Sequence, residues 1–237
     1  MKRPTLRGWF VGIVAAAAAI GCAVPAPTPG VALEAPATSH DATIHHSFED
    51  VGHWVSVFDD PARDAWQKPA AVVSALQLRP GTSVADLGAG TGYFSRYLAA
   101  AVGDAGTVFA VDTEPSLVAH LRERAEQEHT PHVVPVLAST DNPRLPASTV
   151  DVVLIVDTVH HIDDRINYLR RLRRVLKAGG RVVVIDFKKD AEIPVGPPPE
   201  HRLARAQVIE EFGNAGYRLV KEPEILSYQY FLIFKAQ

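Results

Sequence analysis

The sequence predicts an α/β protein in which a mainly parallel sheet is covered by helices on both faces. Three observations carry this expectation. From about Thr43 onward, short β-branched apolar runs alternate with longer segments of helical periodicity. A glycine-rich bend, Gly88-Ala89-Gly90-Thr91-Gly92, joins the first such run to a helical segment. Turn and helix-stop residues separate the rest.

In order, Pro61 to Leu76 reads as a helix and Pro80-Gly81 as the turn into the first strand, Ser83 to Leu87. Further strands are expected at Thr107 to Asp112, His132 to Leu137, Val150 to Val156 and Arg181 to Asp186, with helices at Gly92 to Ala101, Pro115 to Glu128 and Asp163 to Lys177. In the last of these helices Ile166, Leu169, Leu172 and Leu176 share one face, its arginines sit mostly elsewhere on a solvated surface, and Gly179-Gly180 ends it. A stiff loop, Pro194 to Pro199, should lie over the C-terminal strand edge. A helix from Glu200 to Asn214 stopped by Gly216 follows, then strands Tyr217 to Ile225 and Tyr228 to Lys235. Their short connection implies an antiparallel pair, so the sheet should be parallel apart from its last strand.

The beginning of the chain has a different character. Lys2, Arg3 and Arg7 precede an apolar run from Gly8 to Gly21, too short for a membrane span and suited to an export signal over 1–21. Ala19-Ile20-Gly21-Cys22 resembles the lipobox of bacterial lipoproteins, although that family usually has Leu or Val in place of Ala19. The resemblance implies lipidation of Cys22, the only cysteine, and a membrane-anchored location in the bacterial cell envelope. Residues 22–42 are rich in Pro and Ala and read as a tether, leaving 43–237 as the folded domain with a helical cap over 43–80.

The formal net charge is −3, and the signal-like segment holds three cations and no acid, so the rest is more acidic still. An acidic body argues against nucleic acid as a partner, which would require a basic face. One cysteine excludes an intrachain disulfide.

The chemistry concentrates in Val84-Ala85-Asp86-Leu87-Gly88-Ala89-Gly90-Thr91-Gly92. Glycine is needed where the bend takes positive φ and a ligand must approach the backbone. Asp112 ends the next strand, 20 residues beyond Gly92, where a carboxylate can accept from both hydroxyls of a ribose. This stretch resembles the first motif of class I methyltransferases dependent on S-adenosylmethionine (SAM). The resemblance continues through Val108 to Asp112, Asp151 to Asp157 and Leu176 to Asp186, and is nearest to the quinone and sterol C-methyltransferase-like branch. It implies a Rossmann-like seven-stranded sheet, SAM as cofactor and a small-molecule or lipid-like acceptor.

Carried over by position, Asp86, Gly88, Ala89, Gly90 and Gly92 would line the methionine part of SAM, Asp112 with Thr113 would hold the ribose, and Glu114 would lie near the adenine. Where relatives place a Gly-Asp pair this chain reads Ala138-Ser139, so Ser139, Thr140 or Asp141 would substitute. Asp157, carried over as a further cofactor contact, begins the loop after the fourth strand, where this family places acceptor-facing residues. There His160 or His161 is a candidate base, the alternative being that one of them packs under the site and orients the backbone. No metal site is expected, because adjacent histidines point different ways and Asp163 and Asp164 cap the following helix. Trp54, Phe58, Arg63 and Trp66 of the cap, Lys188 with Lys189, and His201 with Arg202 are candidate acceptor contacts.

Amino-group methylation of DNA bases is not expected, since no Asn/Asp-Pro-Pro-Tyr/Phe motif follows the fourth strand. SAM is made in the cytosol, which sets the active site against the export signal. An exported lipoprotein that uses the fold as a non-catalytic binding module is therefore the alternative reading.

Overall fold

The computed structural model describes residues 50–237. The export signal over 1–21, Cys22, the tether over 22–42 and the first residues of the cap lie outside the described residues.

The elements in chain order are α1 Val51–Phe58, α2 Arg63–Gln67, α3 Pro69–Ala75, β1 Ser83–Leu87, α4 Tyr93–Val102, β2 Thr107–Asp112, α5 Pro115–Gln127, β3 Val133–Leu137, β4 Val150–Val156, α6 Arg165–Val175, β5 Leu176–Phe187, α7 Arg205–Asn214, β6 Tyr217–Lys221 and β7 Gln229–Ala236. Short 3₁₀ turns occupy Val159–His161 and Pro199–His201. The seven strands form one sheet in the order β3-β2-β1-β4-β5-β7-β6. All pairings are parallel except those of β7, which runs antiparallel to both β5 and β6.

The central strands are buried on both faces, which is why they read as unbroken apolar runs. In β4, Val153 and Ile155 face one core with Leu169, Leu172, Val208 and Phe212 of α6 and α7. Val152, Leu154 and Val156 face the other, with Val72 and Val73 of α3, Phe94 and Leu98 of α4 and Leu121 of α5. Chain order reverses between β1 and β4, so connections leave in opposite directions there and open a crevice at the strand C-termini.

Four expectations are corrected. The helix expected over Pro61 to Leu76 is two, because Lys68 takes a left-handed φ of 47° just before Pro69, which starts α3. Proline disfavours α conformation in the residue before it, so the helix cannot run through. The helix expected to reach Lys177 stops at Val175, and the Gly179-Gly180 pair instead lies inside β5, which starts at Leu176 and is irregular opposite Val150 to Val152. The helix expected from Glu200 begins only at Arg205, since buried Arg202 and Leu203 anchor the chain first. Asp164 occupies the position before α6, but its side chain makes no cap and instead accepts from Asn167 at 2.7 Å.

Candidate active site

The crevice is built around the bend after β1. Gly88, Gly90 and Gly92 have φ of 74°, 57° and 89°, the left-handed region that glycine enters without penalty. The amides of Gly88 and Ala89 both donate to the Val111 carbonyl, at 2.8 and 3.0 Å, tying the bend to β2. A Cβ on Gly88 would stand 2.3 Å from the Thr158 hydroxyl oxygen, so any side chain there would collide with the loop after β4.

Asp112, the last residue of β2, accepts from the Gly90 amide at 2.8 Å and from the Glu114 amide at 3.0 Å. The carboxylate expected to face the bend is thus bonded to it. Burial raises the Asp112 pKa, opposed by the amides of Glu114, Gly90 and Thr113. Ser139 follows β3 beside this site, because the Ala138 amide donates to the Asp112 carbonyl at 2.8 Å. Thr140 is exposed, and Asp141 pairs with Arg171 while accepting from the Ser139 hydroxyl at 2.8 Å.

Asp86 lies on the α4 side of the sheet, 3 % exposed, and accepts from the Ser95 hydroxyl at 2.7 Å. Burial pushes its carboxyl up to about 6 from 3.8, with Asp112 adding to the rise and Ser95 and Arg63 opposing it. A folded-state value above the unfolded one means that the stability present below pH 4 is lost as pH rises through 6. The stability of the cofactor-free chain in urea should therefore fall by up to roughly 3 kcal/mol on this account between pH 4 and pH 7.5. Asp86→Asn should remove that part of the fall; identical pH dependence in the two proteins would refute it.

The cap closes over the bend. The Phe58 ring lies 3.4 Å from where a Gly90 Cβ would be, so the side of Gly90 that would meet a ligand is covered by α1 in this arrangement. Asp59 holds the cap down by accepting from Thr91 at 2.9 Å and pairing with Arg124 at 2.6 Å. Arg63 stacks on Tyr93 with its guanidinium 4.1 Å from the ring centre. Trp54 packs on Phe58 at 5.1 Å and Trp66 on Phe187 at 5.8 Å, so three of the four proposed cap contacts are aromatic packing residues around the crevice.

Asp157 sits at the tip of β4 in a left-handed conformation, φ 52°. It accepts from the Gln229 side-chain Nε2 at 2.5 Å and faces Arg63 at 3.6 Å, while Gln67 Nε2 donates to Gln229 Oε1 at 2.7 Å. Burial, and then the charge of Asp186, push the Asp157 carboxyl up, against Arg63 and His160. Sequence reasoning missed Gln67 and Gln229. The one available signal was a polar residue inside the otherwise apolar run Tyr228 to Phe234.

His160 and His161 lie in the 3₁₀ turn after β4 with ring centres 4.2 Å apart, and only His160, 4 % exposed, is buried. Its Nδ1 is 2.8 Å from Asp186 Oδ2 at the end of β5. Lys188, by contrast, is exposed and donates to the Ser227 carbonyl at 3.0 Å; Lys189 is also exposed and His201 half-buried. Arg202 is buried and binds the carbonyls of Pro197, Lys188 and Ala191, so it clamps the proline loop and is no surface contact.

Comparison with known proteins agrees with this fold. Residues 85–184 match a family model described as a methyltransferase domain. A ubiquinone/menaquinone biosynthesis C-methyltransferase, UbiE, of Burkholderia mallei is 32 % identical over 126 residues, 53 % of this chain and 50 % of that protein. The chain thus spans half the length of the curated relatives it matches. A SAM-dependent methyltransferase structure from Aquifex aeolicus superposes with a TM-score of 0.73 at 29 % identity, covering 78 % of this chain and 97 % of that one. The [4+2]-cyclase SpnF shares the fold at 20 % identity, with a TM-score of 0.58 over 66 % of this chain and 58 % of its own. The fold is that of Rossmann-like methyltransferases, and the matched domain implies SAM as cofactor. The groups present fit it: a bend without Cβ atoms, its Gly90 side lying under the Phe58 ring, a carboxylate ending β2 for a ribose, and two acids, Asp86 buried and Asp157 half-buried, for a sulfonium.

Proposed function

We propose that the chain is a SAM-dependent methyltransferase acting on a small-molecule or lipid-like acceptor. The observation that carries this reading is the Asp112 carboxylate bonded to the Gly90 amide at the crevice between β1 and β4. When bound there, SAM would supply an electrophilic methyl group on a positively charged sulfur. The residues of this chain would then do three things. Asp112 and the bend hold the nucleoside, Asp86 and Asp157 offset the cationic charge, and the cap with the loop 158–161 encloses the acceptor against water.

The matched domain and the likeness to the Aquifex aeolicus enzyme support methyl transfer. The name of the Burkholderia relatives supports an acceptor of quinone type and carbon as the atom methylated. Incubating the full chain with methyl-labelled SAM and extracts of reduced quinones, lipids or phenols should label a product in one fraction. Calorimetric binding of SAM with no labelling in any fraction would favour the non-catalytic binding module instead.

A lipid anchor on Cys22 belongs to the same proposal, supported by the three cations, the short apolar run and the small residues before the single cysteine. Expressed in a bacterium, the wild-type chain should partition with membranes and Cys22→Ser should not; equal membrane fractions would reject the anchor.

A further inference from the structure

Beside the cofactor bend, a second polar group is buried on the opposite face of the sheet. Asp186, at 0 % exposure, is in register with Tyr230 of β7 and points toward α6 and α7. Both of its oxygens lie within hydrogen-bond distance of His160 Nδ1, at 3.0 and 2.8 Å, while Oδ1 also accepts from the Phe187 amide at 2.8 Å. A carboxylate fixed by a backbone amide cannot turn away, so it holds the ring in one orientation. The loop carrying His160 is itself anchored, because Arg165 donates to the Ile162 carbonyl at 3.0 Å and pairs with Glu211 of α7. The Tyr230 hydroxyl, on the same face and 3 % exposed, has no hydrogen-bond partner among the described residues. It is an orphaned polar atom that a ligand oxygen would complete.

Resting on the methyl-transfer reading, we propose that Asp186 is a positioning residue. It binds the Nδ1–H of His160 and leaves Nε2 as the nitrogen that removes a proton from the acceptor. The acceptor is therefore one that must lose a proton when methylated.

The physical reason is the tautomer. A neutral imidazole carries one proton, and a carboxylate at Nδ1 fixes it there, so only Nε2 presents a lone pair. In the transfer, the nucleophilic atom of the acceptor supplies the electron pair of the new bond to the methyl carbon. The sulfur keeps the pair of the broken carbon–sulfur bond, and the proton displaced from the acceptor ends on His160 Nε2.

The charges facing His160 are Asp186 from β5, Asp157 just beyond β4 and Arg165 from α6, and the titratable His161 ring lies beside it at 4.2 Å. Burial favours the neutral ring, but the two carboxylates outweigh it and hold the His160 pKa above its ordinary value. A cation bound beside the same acids would oppose them and favour the neutral base.

The test is nitrogen NMR of the full chain labelled in histidine, with and without SAM, together with methyl transfer from SAM to 1,4-naphthohydroquinone as probe. Deprotonated His160 should carry its hydrogen on Nδ1. In Asp186→Asn the Nε2–H form should dominate, kcat should fall by about 100-fold with little change in KM, and the acid limb of the pH–rate profile should move down. SAM affinity should stay within about three-fold of wild type.

His160→Gln should lose transfer to a similar extent. An Nε2–H ring in the wild type, or an unmoved tautomer and pH profile in Asp186→Asn, overturns the positioning role. Equal transfer by wild type and His160→Gln, nil included, overturns the base assignment. Absence of SAM binding by the wild type instead removes the methyltransferase reading and leaves the ring spectrum to judge the pair. Should Asp186→Asn not fold, the wild-type spectrum and His160→Gln still decide.

Discussion

Asp112→Ala is expected to weaken SAM binding by about 100-fold or more, close to 3 kcal/mol, and to destabilise the free chain by about 2 kcal/mol. Two losses add. The substitution removes the acceptor expected for both ribose hydroxyls, and it strips the Gly90 and Glu114 amides of their shared partner. Orphaning a buried donor costs about 1 to 3 kcal/mol, and the bend would also be free to leave its positive-φ geometry. Asp112→Asn keeps one acceptor oxygen and should lie between the two. Calorimetry for binding and urea denaturation for stability separate the effects. Wild-type affinity in Asp112→Ala would remove the assignment of this crevice to a nucleoside.

The largest stability effect is expected at Arg165. Its guanidinium meets Glu211 with two hydrogen bonds, 2.6 and 3.0 Å, where the side chains are 6 % and 17 % exposed. Removing one partner of a buried pair strands the other charge, so Arg165→Ala should cost about 3 to 5 kcal/mol. Replacing both, as Arg165→Met with Glu211→Leu, should recover most of that loss, because neither charge is then left without its counterpart. Methyl transfer should suffer even in the double variant, since the bond from Arg165 to Ile162 that steadies the His160 loop is gone. A cost below about 1 kcal/mol for Arg165→Ala would mean that solvent reaches the pair and that α6 and α7 are held by their apolar contacts alone.

The strands were legible because each central one is buried on both faces and so carries a run of Val, Ile and Leu that no surface segment would tolerate. The glycine bend was legible because three positions need left-handed φ. Asp112 was legible because strand length fixes its distance from that bend. Helix ends were less so. At Lys68 the neighbouring proline broke a helix that periodicity alone carried through, and at Gly179-Gly180 pairing of β5 with β4 took over residues whose composition resembles a helix stop.

What local order in the chain determined by itself is the alternation of elements, the backbone bend and the strand-end acids, since each depends on residues within a few positions of one another. Only the tertiary structure decided which groups those acids meet. Asp186 finds His160 26 residues away and Gln67 finds Gln229 162 residues away, through strand order and cap placement. The choice between His160 and His161 followed the same rule. Neighbours in sequence, they differ because a 3₁₀ turn sends one ring into the sheet face, and a buried imidazole must find a partner that no local pattern announces.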